Sequence, residues 1–324
     1  MILEEIYKNI ESDLKLVEKR LPEMSQSKNS VISQAVMQIF NGGGKRLRPA
    51  LLLMAARACG YTGEGGVDLA VAVELMHTAS LVHDDVIDNA DKRRSTSTIN
   101  FRWGNKTAIL VGDHLYSKVI CILAENGNID MMQCVASAAC SMTESEMTQS
   151  LWRNDINVTE DKYLSIVKGK TSALMSCSCR VGAMLAENCN GEMDILGDYG
   201  LNLGMAFQIT DDLLDIIGEE RKVGKPLLKD IREGNLTLPF IYAAGKAVEK
   251  DREWMMEKFR TGQIDENSLA RINDIVRDYG GIKYSLGKAL EYGRICKEKL
   301  EKLPESDSRT SLYKLVDYVI ERVS

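Results

Sequence analysis

Apolar residues recur along this chain at helical spacing almost from end to end. Residues 2–20 read as one amphipathic helix, ended near Pro22. A second helix is expected from Ser30 to Phe40, stopping at Asn41-Gly42-Gly43-Gly44, and a third from Ala50 to Cys59. Gly60–Gly66 reads as a loop, followed by an alanine-rich apolar helix that opens at Val67 and ends in a burst of charge before Arg94. Residues 95–105 read as a polar loop. Helices are then expected over Lys106–Glu125, Ile129–Leu151, Glu187 back to its cap at Thr159, and Ile195–Ile217. After a charged, glycine-rich stretch at 218–235, four or so amphipathic helices follow from Leu236, with breaks near Lys250, Gly262, Gly280 and Pro304. Strand-like alternation is scarce, and five prolines in 324 residues leave long helices uninterrupted. The pattern predicts an all-α fold with no internal boundary, so residues 1–324 read as a single domain.

Composition narrows the class. An apolar content of 44% with 27% charged residues suits a globular protein with a sizeable core. A net charge of −6, without a long run of one sign, gives no reason to expect nucleic acid. No apolar run is expected to span a membrane, and the acidic, amphipathic start MILEEIYKNIESD does not read as a signal peptide. Cys121, Cys134, Cys140, Cys177, Cys179 and Cys189 sit among Ala, Ser and Met, with no C-x-x-C pair. They read as small buried core residues in a reducing cytoplasm.

The chemistry gathers at two helix ends. Asp84, Asp85 and Asp88 form D-D-x-x-D, followed by Arg93 and Arg94. On a helix Asp84 and Asp88 lie one above the other, with Asp85 on the flank. Carboxylates this close repel, and a hard divalent cation such as Mg²⁺ would relieve the conflict. Taken alone, the motif reads equally well as a solvated acidic helix end. A second copy, Asp211, Asp212 and Asp215, closes another apolar helix. If the two helices run side by side, the triads would face each other and hold several Mg²⁺ ions and, through them, a polyphosphate.

Basic groups supply the complement. Lys45, Arg46 and Arg48 follow three glycines at a helix start, a setting where free N–H groups and the helix dipole favour an anion. The surrounding residues do not fit a Walker A loop. His77 falls on the aspartate face about two turns before Asp84. Lys168-Gly169-Lys170-Thr171 interrupts an apolar helix face, where a kink would aim Lys170 and Thr171 at a phosphate. Lys222, Lys225 and Lys229 stand in the glycine-rich stretch, placed to close over a diphosphate.

GGGKRLRP, DDVIDNADKRR, FRWGNK, VKGKTSAL, MAFQITDDLLD and GKPLLKDIREGNLTLP together resemble the motif blocks of the trans-polyprenyl diphosphate synthases, in that family's order and spacing. The resemblance runs motif by motif over roughly residues 30–245. It implies a helical bundle of the isoprenoid synthase type around a central cavity. It also implies successive condensation of isopentenyl diphosphate onto an allylic diphosphate such as farnesyl diphosphate, with Mg²⁺. By that likeness Asp84, Asp85, Asp88 and Asp211 would bind Mg²⁺ bridging the allylic diphosphate, with Asp212 and Asp215 holding it directly or through water. Arg93, Lys170, Thr171, Gln208 and Lys225 would contact the allylic diphosphate. Lys45, Arg48, His77 and Arg94 would hold isopentenyl diphosphate. The family's usual homodimer would use helices near the cavity, and the small-residue stretch 129–151 is compatible with that. Contact with a membrane would be peripheral at most.

The sequence departs from the family pattern in three places. Ser95–Thr98 replaces a common glycine and proline, Asn235 stands where a lysine is frequent, and Lys229 where a small residue is. Product length should be set one or two turns before Asp84, by Met76, Ala79 and Ser80, with Leu123 and Met142 as a next barrier. Small residues at 79 and 80 imply a product longer than geranylgeranyl diphosphate, and Ala79→Phe is expected to shorten it. The alternative product is geranylgeranyl diphosphate itself. Rival readings are a terpene cyclase, which usually lacks the second triad, and a non-catalytic subunit, which often loses one.

Overall fold

A computed structural model describes residues 2–63, 65–93, 96–125, 128–186, 190–217, 228–262 and 264–323. The helices are α1 (Leu3–Ile6), α2 (Glu11–Met24), α3 (Ser30–Asn41), α4 (Leu47–Ala58) and α5 (Gly66–Ile87). A two-strand ribbon, β1 (Lys92–Arg93) and β2 (Thr96–Ser97), precedes α6 (Ile99–Trp103), α7 (Asn105–Glu125) and α8 (Ile129–Leu151). Next come α9 (Glu160–Val167), a π-helical turn (Lys168–Ser172), α10 (Ala173–Ala183) and α11 (Asn190–Ile217). The chain ends with α12 (Lys229–Arg232), α13 (Leu238–Lys246), α14 (Glu249–Thr261), α15 (Glu266–Asp278), α16 (Gly281–Leu300) and α17 (Asp307–Glu321). The fold is all-α.

Contacts sort the chain into two compact units. One comprises Met1–Ala139, Leu174–Gly200 and Lys299–Leu315; the other comprises Cys140–Ala173, Leu201–Glu298 and Val316–Ser324. Each unit is assembled from three separate stretches, so no linker marks the division in the sequence.

The first unit is organised on α5. This helix buries residues on every side, Val67 to Ala79 almost without interruption, as expected of a helix that is apolar all round. Helices α2, α4 and α7 pack on it. Its buried Glu74 is met by Arg46, which also forks onto Glu18, at 3.0 Å to each on the Nη1 and Nη2 sides. Arg46 has a left-handed backbone (φ 47°) at the start of α4 and is itself buried. It is a structural counter-ion, which removes it from the expected anion-binding set. Removing either partner of such a pair leaves a buried charge uncompensated.

The second unit has its core where α12–α15 close on the end of α11. Ile216, Phe240, Phe259, Ile272 and Val276 form its centre, and each such side chain buried contributes about 1.5–3 kcal/mol.

Several local expectations are corrected. Pro22 lies inside α2 instead of ending it; its missing N–H falls near the helix end, where it costs a single carbonyl its partner. Helix α4 starts three residues early, because a proline is tolerated in a first turn. The stretch 95–105 is not all loop: Thr98 caps α6, accepting from the Phe101 N–H at 3.4 Å, and Ile99 is buried. By length and composition α7 is long and apolar enough to cross a membrane, contrary to expectation. Its polar residues are single and dispersed, and Val111, Leu115, Val119 and Ile122 bury one face. Cys121 and Cys140 are exposed and Cys134 is half-buried, so only Cys177 and Cys179 of the expected set that is described are buried; Cys296 is buried as well. Cys59 is disulfide-bonded, which a fully reduced set did not anticipate. Cys189 and Glu187 lie outside the described residues.

The interruption expected at Lys168–Thr171 is the π-helical turn. It widens the helix by one residue per hydrogen bond. Helix α11 crosses it at Gly204, where a Cβ would sit 2.5 Å from Ser172 Cα. Only a residue without a side chain fits there. Gly204→Ala is expected to lower the unfolding free energy by about 2 kcal/mol, measured by urea denaturation. An unchanged midpoint would show that the turn can move away.

Candidate functional site

In the first unit the aspartates occupy the C-terminal end of α5, with Asp88 as its C-cap. That is the negative pole of the helix, where each carboxylate is disfavoured by roughly 0.3–1 kcal/mol. The local chain compensates. Asn89 takes a left-handed conformation (φ 49°) and turns the backbone out of the helix. The ribbon β1–β2 then brings Arg93 back, and its Nε donates to Asp85 Oδ1 at 2.8 Å. Asn100 braces the turn by donating to the carbonyls of Asp85 and Ala90 at 3.2 and 3.1 Å. Gln38 holds the ribbon by donating to the Ser97 carbonyl at 2.8 Å. Asp85 is buried, while Asp84 and Asp88 are half-buried. Burial, and then the charge of Asp84, push the Tyr116 phenol above its ordinary value.

The other expected residues of this unit are spread over neighbouring elements. Lys45 is exposed in the loop after Gly43 (φ 62°), and its carbonyl accepts from the Tyr7 hydroxyl at 3.2 Å. Arg48 is half-buried in the first turn of α4, and His77 is half-buried on α5. Arg94 and Ser95 lie outside the described residues. Of the expected length-setting residues, Met76 and Ala79 expose 3% and 0% of their surface. Ser80 is half-buried, with its hydroxyl donating to the His77 carbonyl at 2.8 Å. Ser80 is therefore the one of the three with open surface. Leu123 and Met142 are buried.

In the second unit each aspartate of α11 has a different partner. Asp211 Oδ1 forms an ion pair with Arg322 Nη2 at 2.7 Å. Asp212 is buried, and both its oxygens are engaged: Oδ2 accepts from the Tyr163 hydroxyl at 2.6 Å, and Oδ1 from Gln208 Nε2 at 2.8 Å. Thr171 completes the chain by donating to Gln208 Oε1 at 2.8 Å. Asp215 clasps the chain after its turn. Its carbonyl accepts from the Leu228 N–H at 2.9 Å and its Oδ2 from the Asp230 N–H at 3.2 Å. Burial, and then the charge of Asp230, push the Asp212 carboxyl well above the usual range, against the hydrogen bonds from Tyr163 and Gln208. Burial, and then the charge of Asp212, likewise raise the Tyr163 phenol.

Lys170 emerges from the π-helical turn to pair with Glu146 and to donate to Gln149 Oε1 at 2.9 Å. Gly169 makes room for α8 beside it, since a Cβ there would meet Ser145 Oγ. Lys229 pairs with Glu233 one turn on, at 3.1 Å. Asn235 donates its N–H to the Asp230 carbonyl at 2.8 Å and fixes that turn. Lys222 and Lys225 lie outside the described residues, as does most of the expected closing segment.

Five residues around the second motif escaped the sequence reading: Tyr163, Glu146, Gln149, Asp230 and Arg322. Asp230 stands in the recognised GKPLLKDIREGN block, a signal that was available. Tyr163 and Glu146 lie seven and twenty-four residues from Lys170 on apolar helices, and nothing in a linear pattern marks them.

Among the described residues, no three His, Cys, Asp or Glu side chains stand ready to hold a metal ion. The carboxylates are turned instead onto Arg93, Tyr163, Gln208 and Arg322. The donor set is nonetheless oxygen only, and Mg²⁺ needs just one or two carboxylates beside water and phosphate oxygens. The residues fit that ion.

Residues 29–276 match the model of the polyprenyl synthetase family. The chain belongs to that family. It is 36% identical to the short chain isoprenyl diphosphate synthase of Methanothermobacter thermautotrophicus, over 89% of this chain and 90% of the relative. Its fold is similar to that of a decaprenyl diphosphate synthase from Rhodobacter capsulatus, at TM-score 0.95 and 35% identity, with all of both chains covered. A polyprenyl synthase from Caulobacter crescentus, solved with calcium and isoprenyl diphosphate, matches at TM-score 0.95 and 31% identity, over 100% of this chain and 98% of that one. The fold is thus the isoprenoid synthase fold, and the protein is a trans-polyprenyl diphosphate synthase, a prenyltransferase.

Tyr163→Phe removes a buried hydrogen bond to a carboxylate, so it is expected to cost about 2 kcal/mol of stability. Chemical denaturation measures this, and a loss below the fitting error would mean that Asp212 does not depend on the phenol.

Proposed function

We propose that this synthase elongates an allylic diphosphate with isopentenyl diphosphate to a trans product longer than geranylgeranyl diphosphate, in the presence of Mg²⁺. The observation that carries the reading is the pair of complete, oxygen-only aspartate motifs, each beside cationic side chains, in a chain of this family. Asp84, Asp85, Asp88 and Asp211 would hold Mg²⁺, with Asp212 and Asp215 supporting them. When bound, the ion would neutralise charge on the departing diphosphate. Arg93, Lys170, Thr171, Gln208 and Lys225 would orient the allylic diphosphate, and Lys45, Arg48, His77 and Arg94 isopentenyl diphosphate.

In the reaction the allylic C–O bond breaks and its electron pair leaves with the diphosphate. The double bond of isopentenyl diphosphate attacks the allylic cation, and the new cation loses a proton. None of the site side chains is an obvious base for that proton, and the released diphosphate is the reading's acceptor. Water must be kept out, which an apolar lining achieves.

The long product rests on Ser80, a small side chain with open surface one turn before Asp84. We place the enzyme in the cytoplasm as a homodimer. The dimer reading is supported by α7, which leaves Ile109, Leu110 and Ile120 exposed at 45, 52 and 62%. Apolar residues gathered on one helix in this way mark an interaction surface.

Incubation with farnesyl diphosphate, excess isopentenyl diphosphate and Mg²⁺ should give a ladder of products ending beyond geranylgeranyl, read by mass spectrometry after dephosphorylation. A ladder stopping at geranylgeranyl would refute the length, and no elongation by the purified chain would favour a subunit that needs a partner. Ser80→Phe should shorten the longest product by at least one five-carbon step. Ala79→Phe, placed in full burial, should instead cost about 1–3 kcal/mol of stability. Ile120→Glu should halve the mass seen by light scattering.

A further inference from the structure

The three aspartates at the end of α11 are held by partners of different kinds. Asp212 and Asp215 are held by neutral donors: a phenol, an amide side chain and two backbone N–H groups. Asp211 is paired with a cation. That cation is Arg322, immediately after α17 and near the end of the chain.

The geometry of this pair is incomplete. A guanidinium can grip a carboxylate with two parallel hydrogen bonds. Here the ion pair joins Nη2 to Asp211 Oδ1, at 2.7 Å. Nη1 is buried with no hydrogen-bond partner among the described residues. The guanidinium carbon lies 5.2 Å from the centroid of the Phe207 ring, one turn before Asp211, so the aromatic face adds to the support of the arginine's charge. Asp211 keeps 37% of its side chain exposed and Arg322 keeps 19%. A one-contact, partly wetted ion pair is weak and can be exchanged.

We propose that Arg322 is a stand-in counter-ion for Asp211, holding the carboxylate in place before a divalent cation arrives and being displaced by it. The protein's own arginine thereby sets how tightly Asp211 takes the metal. The inference rests on the reading of Asp211 as a metal-binding carboxylate. It adds a competitor, since each ion bound there must first release Arg322. The competition carries a definite sign: removing the arginine's charge tightens metal binding, whereas loss of a merely structural side chain would loosen it or leave it alone.

The test uses the full chain without substrate and Mn²⁺ as the probe, with free ion counted by electron paramagnetic resonance at low ionic strength. Arg322→Met should tighten Mn²⁺ binding roughly fivefold, the upper range for a partly exposed ion pair. Arg322→Gln, which keeps donors but no charge, should do the same and serves if the Met variant folds poorly. Arg322→Lys should stay within about twofold of the parent, because a cation remains. In an Asp211→Asn background the Met substitution should have no effect. Unchanged or weaker Mn²⁺ binding in folded Arg322→Met and Arg322→Gln would overturn the counter-ion role while leaving the metal reading standing. If Asp211→Asn alone leaves Mn²⁺ binding intact, the metal reading fails and this inference with it.

Discussion

Two helices of this protein end in clusters of carboxylates at the pole where helix dipoles least favour them. Much of the surrounding structure answers that constraint. Near Asp84, Asp85 and Asp88 the answer is a left-handed turn at Asn89 and a two-strand ribbon that returns Arg93 to Asp85. Near Asp211, Asp212 and Asp215 it is Arg322, Tyr163, Gln208 and the backbone of Leu228 and Asp230. Gln208 comes from the same helix, whereas Tyr163 and Arg322 come from distant parts of the chain, and each group meets a different oxygen.

Such local conflict is expected where a protein works and not elsewhere. The core of the first unit is locally consistent. Helix α5 is apolar all round because it is surrounded, and the buried Glu74 in its middle is met by Arg46. The π-helical turn at Lys168–Ser172 is a second local departure. Its glycine lets α8 approach, and its lysine and threonine reach Glu146, Gln149 and Gln208. Two of the basic groups expected to meet a diphosphate are already engaged: Arg93 with Asp85, and Lys170 with Glu146 and Gln149. Their charges are therefore stabilised in the protein as it stands, and a ligand would exchange partners with them.

The family follows from six blocks spread over most of the chain, and a prenyltransferase with allylic and homoallylic diphosphate substrates is the consistent reading of both triads. Two neighbouring positions before the first motif differ in burial. A side chain at position 79 is sealed in the core, whereas one at position 80 retains open surface. Adjacent residues on a helix differ by about 100° in direction, which is enough to send one into the packing and leave its neighbour at the boundary.

The all-α class, most helix spans and both aspartate motifs were legible in the sequence because each is a local pattern: periodicity, a cap such as Thr159, or a short charged cluster. Helix α8 was read to the residue, and the break at Lys168–Thr171 was anticipated because glycine and lysine interrupt an apolar face. What escaped depends on distance along the chain. Tyr163 meets Asp212 across forty-nine residues and Arg46 meets Glu74 across twenty-eight. Arg322 reaches Asp211 from the far end of the chain. A cation in a basic cluster has the same local appearance whether it awaits a phosphate, as Lys45 was expected to, or is spent inside the fold, as Arg46 is. Only tertiary packing decides between those fates, because the partner that neutralises a buried charge is chosen by proximity in space.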